Sequence, residues 1–475
     1  MLLFTLCARE TRMSRFFAIN AALGLMFALP IWAGQTYTRD EAVKAALANS
    51  ADVQTAEQNL KNAESQVTGA YGNAYPTVDL SATYARTFGV SDVKKSSAIS
   101  DMLDSTASMN DRIIGGVLDN YAYALSAMGG YRWGTQVGLT ATQILYAQGK
   151  VSTGVRIAKS YRRVNELTLE TTKQNVRYDV ENSFDQLIYL DSAIVILQES
   201  MDQLQQHLDY VDVAVKSGLA TELDQIRAHL SMDDLQSSLD KTKKDRVVAR
   251  NALLNTMGLP WNADVEFQGE LRDPKSGDIQ TPDTTMANVR QRRKELTQLD
   301  ESEKMYTENI DIEKGDYKPT IVLGGSIMYQ NGQNRAFKWD APDWDDNISK
   351  KIYLNFSMNL FNGMKTREAV VQAKTSLRKT QIQKDNAERG IRLEMESAAN
   401  TLDNAQKQLD IQARRVDLAQ KNLDMTEAAY KAGKETQLNF LDANMSLKNA
   451  RLDYMSAVVD WNKSYNALLK ATGEY

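Results

Sequence analysis

The chain has 475 residues, seven prolines, one cysteine and a formal net charge of −5, so no basic surplus points to nucleic acid as a partner. Its richness in Ala, Leu, Gln, Lys and Glu is a helical composition. The single cysteine, Cys7, lies in a segment expected to be removed, which excludes disulfides and a catalytic thiol from the mature chain.

Residues 1–33 read as a secretory signal. Arg15 is the positive region, Phe16 to Trp32 is mostly apolar, and Ile31-Trp32-Ala33 permits cleavage after Ala33. Met13 is an alternative start. The apolar run is shorter than the ~20 residues a spanning helix needs, and no later stretch is apolar enough for one.

A first repeat covers residues 34–260. Thr38 and Glu41 have capping-box spacing before a helix that continues to Tyr71, where Gly72 and Pro76 end it. From Thr77 the period becomes two, with Val78, Leu80, Ala82 and Tyr84 opposite Asp79, Ser81 and Thr83. This predicts a strand over about 77–86. A polar loop follows over 87–132, then a strand over about 135–146. Helices over about 150–217 and 222–258 complete the repeat. In the first, Leu190, Ile194, Leu197, Met201, Leu204, Leu208, Val211 and Val215 alternate in steps of four and three, a knobs-into-holes seam. At ~1.5 Å per residue this helix is a rod of roughly 100 Å.

Residues 261–285, with Pro274, Gly277 and Pro282, read as a connector. Residues 286–475 repeat the programme: a helix to about 314, strands over about 320–329 and 352–361, and helices over about 365–431 and 436–471. In the second strand Ile352, Leu354, Phe356, Met358 and Leu360 share one face and Tyr353, Asn355 and Ser357 the other. The long helix carries Met395, Leu402, Leu409, Val416, Leu423 and Tyr430 at every seventh position. Gly138–Tyr146 aligns with Tyr353–Phe361, Gly218 with Gly433, and Asn251–Leu254 with Asn466–Leu469, each 215 residues apart. A constant offset over so long a stretch marks a duplication.

Four strands cannot close a barrel, and an open-edged sheet is not viable in lipid. Membrane barrels need at least ~8 strands, so several chains must pool theirs. Ile352, Leu354, Phe356, Met358 and Leu360 would then face lipid. The alternative is a soluble sheet packed on helices, which the very long helices oppose.

The whole mature chain resembles the TolC-like outer-membrane channel family. The resemblance rests on the duplicated helix–strand–strand–helix order, on the stretch Ala429–Ala443, which looks like the family's tip segment, and on the partner turn Ser217–Asp224. It implies a mainly α fold with membrane β: a long coiled-coil α-barrel in the periplasm plus a 12-stranded β-barrel shared by a homotrimer in the outer membrane. It further implies export of drugs, other small molecules or proteins from an inner-membrane pump or ABC exporter through a periplasmic adaptor. No chemistry of its own is expected, and no cofactor.

Two sets of residues follow from the resemblance. The turns would present Gly218, Leu219, Ala220, Thr221, Gly433, Lys434, Glu435 and Thr436 to the adaptor; Gly218 and Gly433 are in any case helix-stop residues. Tyr430 and Asp442 match the family's periplasmic gate. Asn439 stands where the family often has a second acid, and Glu435 where its best-known member has a basic residue, so the gate's ion pairs cannot be carried over intact. Asp224, the repeat-equivalent of Asn439, is the candidate for an acidic ring; three copies around a narrow axis would attract cations. The plain alternative is solvated helix charge. His207 and His229 have no ligand cluster around them, so no metal is expected. No nucleophile–base set or phosphate loop is present, so no enzyme is expected. A periplasmic coiled-coil adaptor or structural rod that never spans lipid is the competing function.

Overall fold

A computed structural model describes residues 35–88, 133–218, 220–272, 282–333 and 347–475, with residues 108, 111, 114 and 118 described singly. The expected signal segment 1–33, nearly all of the 87–132 loop, Leu219, Pro274 and Gly277 lie outside the described residues.

The described elements run in this order: β1 (Gln35–Tyr37), α1 (Arg39–Asn49), α2 (Ala51–Gly72), β2 (Thr77–Arg86), β3 (Trp133–Ala147), α3 (Lys150–Lys216), α4 (Glu222–Thr256), β4 (Val265–Phe267), α5 (Met286–Arg292), α6 (Lys294–Gly315), β5 (Thr320–Gln333), β6 (Ile348–Ser357), α7 (Lys365–Lys431) and α8 (Gln437–Thr472). The helix–strand–strand–helix–helix order thus occurs twice. α3 and α7 have 67 residues each, and among the described residues no helix is long and apolar enough to cross a membrane.

The chain divides into two compact units that cut across the sequence repeats. One comprises residues up to Thr55, Glu170–Arg292 and Ile391–Tyr475. Here the seam of α3 is buried as its periodicity demands: Leu197, Leu204, Leu208 and Val211 are all nearly inaccessible. Leu197 and Leu204 join Leu235 and Leu239 of α4, Leu423 of α7 and Leu447 of α8 in one cluster. A small parallel sheet, β1 on β4, was not expected from sequence. Tyr37 packs on Phe267, which in turn meets Phe184 of α3 edge-on. Beside it, burial pushes the Asp185 carboxyl up to about 6, although Arg39 pairs with it.

The other unit comprises Ala56–Leu169 and Arg293–Gly390. Its sheet has the order β2-β3-β5-β6, antiparallel throughout. α6 is tied to α3 by Arg156–Glu308 at 2.6 Å and Lys150–Asp316 at 2.5 Å, and to α7 by Lys384 with Asp300 and Glu303.

The strands differ from the sequence reading by up to four residues, with β3 starting at Trp133, β5 reaching Gln333 and β6 starting at Ile348, and three further boundaries differ for identifiable reasons. The first helix breaks at Ser50, and the helix of the second repeat breaks at Arg293. Ser50 and Arg293 are 243 residues apart, as are Pro76 and Pro319, so the break belongs to the duplicated pattern. At Ser50 the chain passes against the turn at Gly258, where a Cβ would come within 2.2 Å of the Asn49 carbonyl oxygen. The last strand ends at Ser357, not 361. Its partner β5 begins at Thr320 after Pro319, and Thr320 pairs with Ser357, so Met358 and Leu360 have no ladder to join. Gly363 and Met364, both at positive φ, then turn the chain into α7. Met358 and Leu360 are therefore exposed residues beyond the strand rather than strand residues.

Candidate functional site

α3 ends because Gly218 adopts φ +69°, a left-handed conformation that a side chain disfavours. Thr221 then opens α4 as its N-cap. Its hydroxyl oxygen accepts the Asp224 N–H at 3.2 Å and donates to Asp224 Oδ2 at 2.7 Å. The Thr221 N–H donates to the same Oδ2 at 3.2 Å. Asp224 is thus the reciprocal partner of a capping box, its carboxylate serving a helix start.

The second turn uses the same backbone. Gly433 adopts φ +72°, its N–H donates to the Tyr430 carbonyl at 2.9 Å, and the Lys434 N–H donates to the Ala429 carbonyl at 2.9 Å. These bonds form a Schellman ending. Thr436 caps α8 by accepting the Asn439 N–H at 3.3 Å. Here the return bond is missing, because the Asn439 amide donates instead to Glu435 Oε2 at 2.5 Å. Lys434, Glu435 and Thr436 are exposed, as is Thr221, while Ala220 is half-buried.

Gln437 links the two turns. It is buried, and its Nε2 donates to the Asp224 carbonyl at 2.7 Å. Behind it lies an aromatic cluster. The His207 ring stacks on Phe440 at 4.2 Å, and Tyr430 lies 5.3 Å from His207 and 5.9 Å from Phe440. Tyr210 meets Tyr430 edge-on at 6.0 Å. Burial lowers the His207 pKa to about 4, against a smaller opposing pull from Glu427, and its Nε2 has no hydrogen-bond partner among the described residues. Burial raises the Tyr430 pKa, with smaller contributions from Tyr210 and Asp224. Tyr430, Asp224 and Asn439 thus belong to one packed turn region. Asp442 differs: it is exposed, and its carboxylate has no hydrogen bond or ion pair among the described residues.

Sequence reasoning passed over Phe440 and Gln437, and weighed His207 only as a metal ligand. Phe440 lay in plain view within the Ala429–Ala443 stretch. His207 sits beside Leu204 and Leu208 on the buried side of the seam, which was a signal for packing rather than ligation. Among the described residues no three His, Cys, Asp or Glu side chains are placed to hold a metal ion.

The sheet is the second candidate surface. Its register puts Val78, Leu80, Ala82 and Tyr84 of β2 in line with Val137, Leu139 and Ala141 of β3. Ile321, Leu323, Ile327 and Tyr329 of β5 and Ile352, Leu354 and Phe356 of β6 continue the same face. The opposite face carries Asp79, Ser81, Thr83, Thr140, Ser326, Asn355 and Ser357. Leu80 is 75% exposed and Ile352 86% exposed, although both lie on the apolar face. Chemically, the chain offers a large apolar sheet face and a narrow polar turn region.

A family model described as outer membrane efflux protein matches residues 42–259 and 286–474, one match for each repeat. Outer membrane protein TolC of Salmonella enteritidis is 22% identical over 330 residues, covering 68% of this chain and 66% of that protein. Among solved structures, the Campylobacter jejuni CmeC outer membrane channel superposes with a TM-score of 0.73 at 15% identity, covering 92% of this chain and 85% of that one. The open state of the Neisseria gonorrhoeae MtrE outer membrane channel gives 0.70 at 16% identity, covering 92% and 88%.

Proposed function

The chain belongs to the outer membrane efflux protein family, and from that premise we propose that three copies form one outer-membrane channel fed from the periplasm. The observation that carries this reading is the sheet. A largely solvent-exposed apolar face, interrupted by Lys350, extends across four strands, and β2 and β6 leave two open edges. In hydrocarbon, unpaired edge amides and carbonyls cost several kcal/mol each, so the edges must be closed by other strands. Pairing β2 of one copy with β6 of the next gives twelve strands from three copies. The polar face then lines the lumen.

In this reading α3, α4, α7 and α8 form a periplasmic duct. The turns at Gly218–Thr221 and Gly433–Thr436 dock a periplasmic adaptor, and an inner-membrane pump or ABC exporter supplies both the energy and the cargo of drugs, small molecules or proteins. Tyr430 and Asp442, with Asp224 and Asn439, narrow the periplasmic end. Asp442 is the strongest acid candidate there, because the Asp224 carboxylate is already engaged by Thr221. Membrane fractionation with size measurement in detergent tests the reading. The expected result is outer-membrane protein with the mass of three chains. Release of the protein in soluble form would favour the coiled-coil rod instead.

A further inference from the structure

The apolar face of the sheet is not flat. Ala141 and Gly325 are register partners, and Ile352 pairs with Gly325 on the other side. The two small residues open a trough between the row Leu139–Ile327–Lys350 and the row that follows. The depression measures about 570 Å³ and is lined from this face by Leu139, Ala141, Gly325, Ile327, Lys350 and Ile352, and it is also bordered by Ser326 and by Lys351, whose carbonyl oxygen lies beside Gly325. Its walls are branched aliphatic side chains and its floor is nearly bare backbone, which suits a methylene chain.

The charge on this face is one-sided. Strand alternation places Arg86 and Lys350 on it, and among the described strand residues it carries no carboxylate; Asp79 and Lys351 fall on the opposite face. Arg86 is held over the rings of Phe88, at 4.6 Å, and Trp133, at 5.0 Å. Lys350 has no such support: it is exposed and has no ion-pair partner among the described residues. An ammonium on a lipid-facing surface costs about 2–4 kcal/mol at the midplane and falls toward zero near the headgroups. An anionic headgroup at the rim of the trough removes that cost.

We infer that this trough binds one acyl chain of a net-anionic, phosphate-bearing lipid, whose phosphate pairs with the Lys350 ammonium. The position is within the protomer's own sheet, on β3, β5 and β6, so closing the barrel through the β2 and β6 edges leaves the floor of the trough uncovered. The inference rests on the proposed membrane-facing role of this face. It goes further by giving that face a lipid preference: phosphate oxygens accept from Nζ, and the chain replaces the side chains that Ala141 and Gly325 lack.

Native mass spectrometry tests this on the full chain, delipidated in mild detergent and offered equal amounts of phosphatidylglycerol and phosphatidylcholine. The wild type is expected to retain phosphatidylglycerol over phosphatidylcholine by about tenfold, the loss typical of one charge-assisted bond. Lys350→Gln abolishes the preference. Gly325→Leu retains neither lipid well; a Cβ at 325 meets nothing closer than the Lys351 carbonyl oxygen at 3.8 Å, so the backbone accepts the change. Lys351→Gln, on the opposite face, keeps the wild-type preference. Equal retention of the two lipids by the wild type overturns the inference, as does a loss of preference in Lys351→Gln equal to that in Lys350→Gln. A wild-type chain that does not reach the outer membrane overturns the proposed function itself, whereas a membrane-inserted chain without the preference overturns this inference alone.

Discussion

The two helix turns occupy equivalent places in the repeat, yet only the first closes a full capping box. Gly218 and Gly433 adopt the same left-handed conformation, and Thr221 and Thr436 cap the helices that follow. Asp224 returns a bond to Thr221, whereas its counterpart Asn439 turns to Glu435. The second turn compensates in its core. Phe440 packs on His207, while the equivalent position in the first turn, Gln225, makes a polar bond to Asp212 at 2.9 Å. Duplication has kept one backbone solution and divided the chemistry: the first turn is held by polar caps, the second by aromatic packing.

Truncating the aromatic anchor should break this division most. Phe440→Ala is expected to destabilise the four-helix region by about 3–5 kcal/mol, and Gln225→Ala by less than about 1 kcal/mol. Hydrogen exchange of amides in residues 429–441 and 214–226 reads both. Comparable losses of protection would erase the distinction.

Acid should act next, and through the second turn. The folded pKa of His207 is lowered, so its contribution is present in full above the unfolded value near 6.5 and is lost as pH falls through about 4. The expected loss across that window is on the order of 3 kcal/mol. His207→Phe should flatten the dependence of residues 429–441 on pH between 6.5 and 4. A dependence that survives the substitution would assign it to other groups. The smallest expected effect concerns the caps themselves. Thr221→Ala should cost about 1 kcal/mol, and Thr436→Ala a few tenths less, because it has no reciprocal bond to lose. Thermal melts of the two variants, compared side by side, measure the difference.

Much of the architecture was written in punctuation and period. Gly72, Gly218, Gly258 and Gly433 stop helices in ways that local physics dictates, so helix limits fell within one or two residues of those observed. The four strands were legible because alternation survives wherever one face is apolar. What escaped depends on contacts distant in sequence. No Pro or Gly announces the break at Ser50; it follows from the approach of the Gly258 turn. β1 and β4 have three residues each, too few for any period to show. The end of β6 was set by where its partner begins, not by its own alternation, which runs on through Met358 and Leu360. In the turns the glycines were legible, but the side-chain bonds were not. Whether the carboxylate at 224 stands free or caps Thr221 depends on a rotamer.

Single-channel recording in planar bilayers tests the central claim, that three chains make one pore, most directly. Detergent-purified trimers are expected to give uniform, cation-preferring conductance steps, and Asp442→Ala to weaken that preference while raising conductance. Membrane-inserted trimers that conduct nothing, or steps of the same size from dissociated single chains, would contradict it.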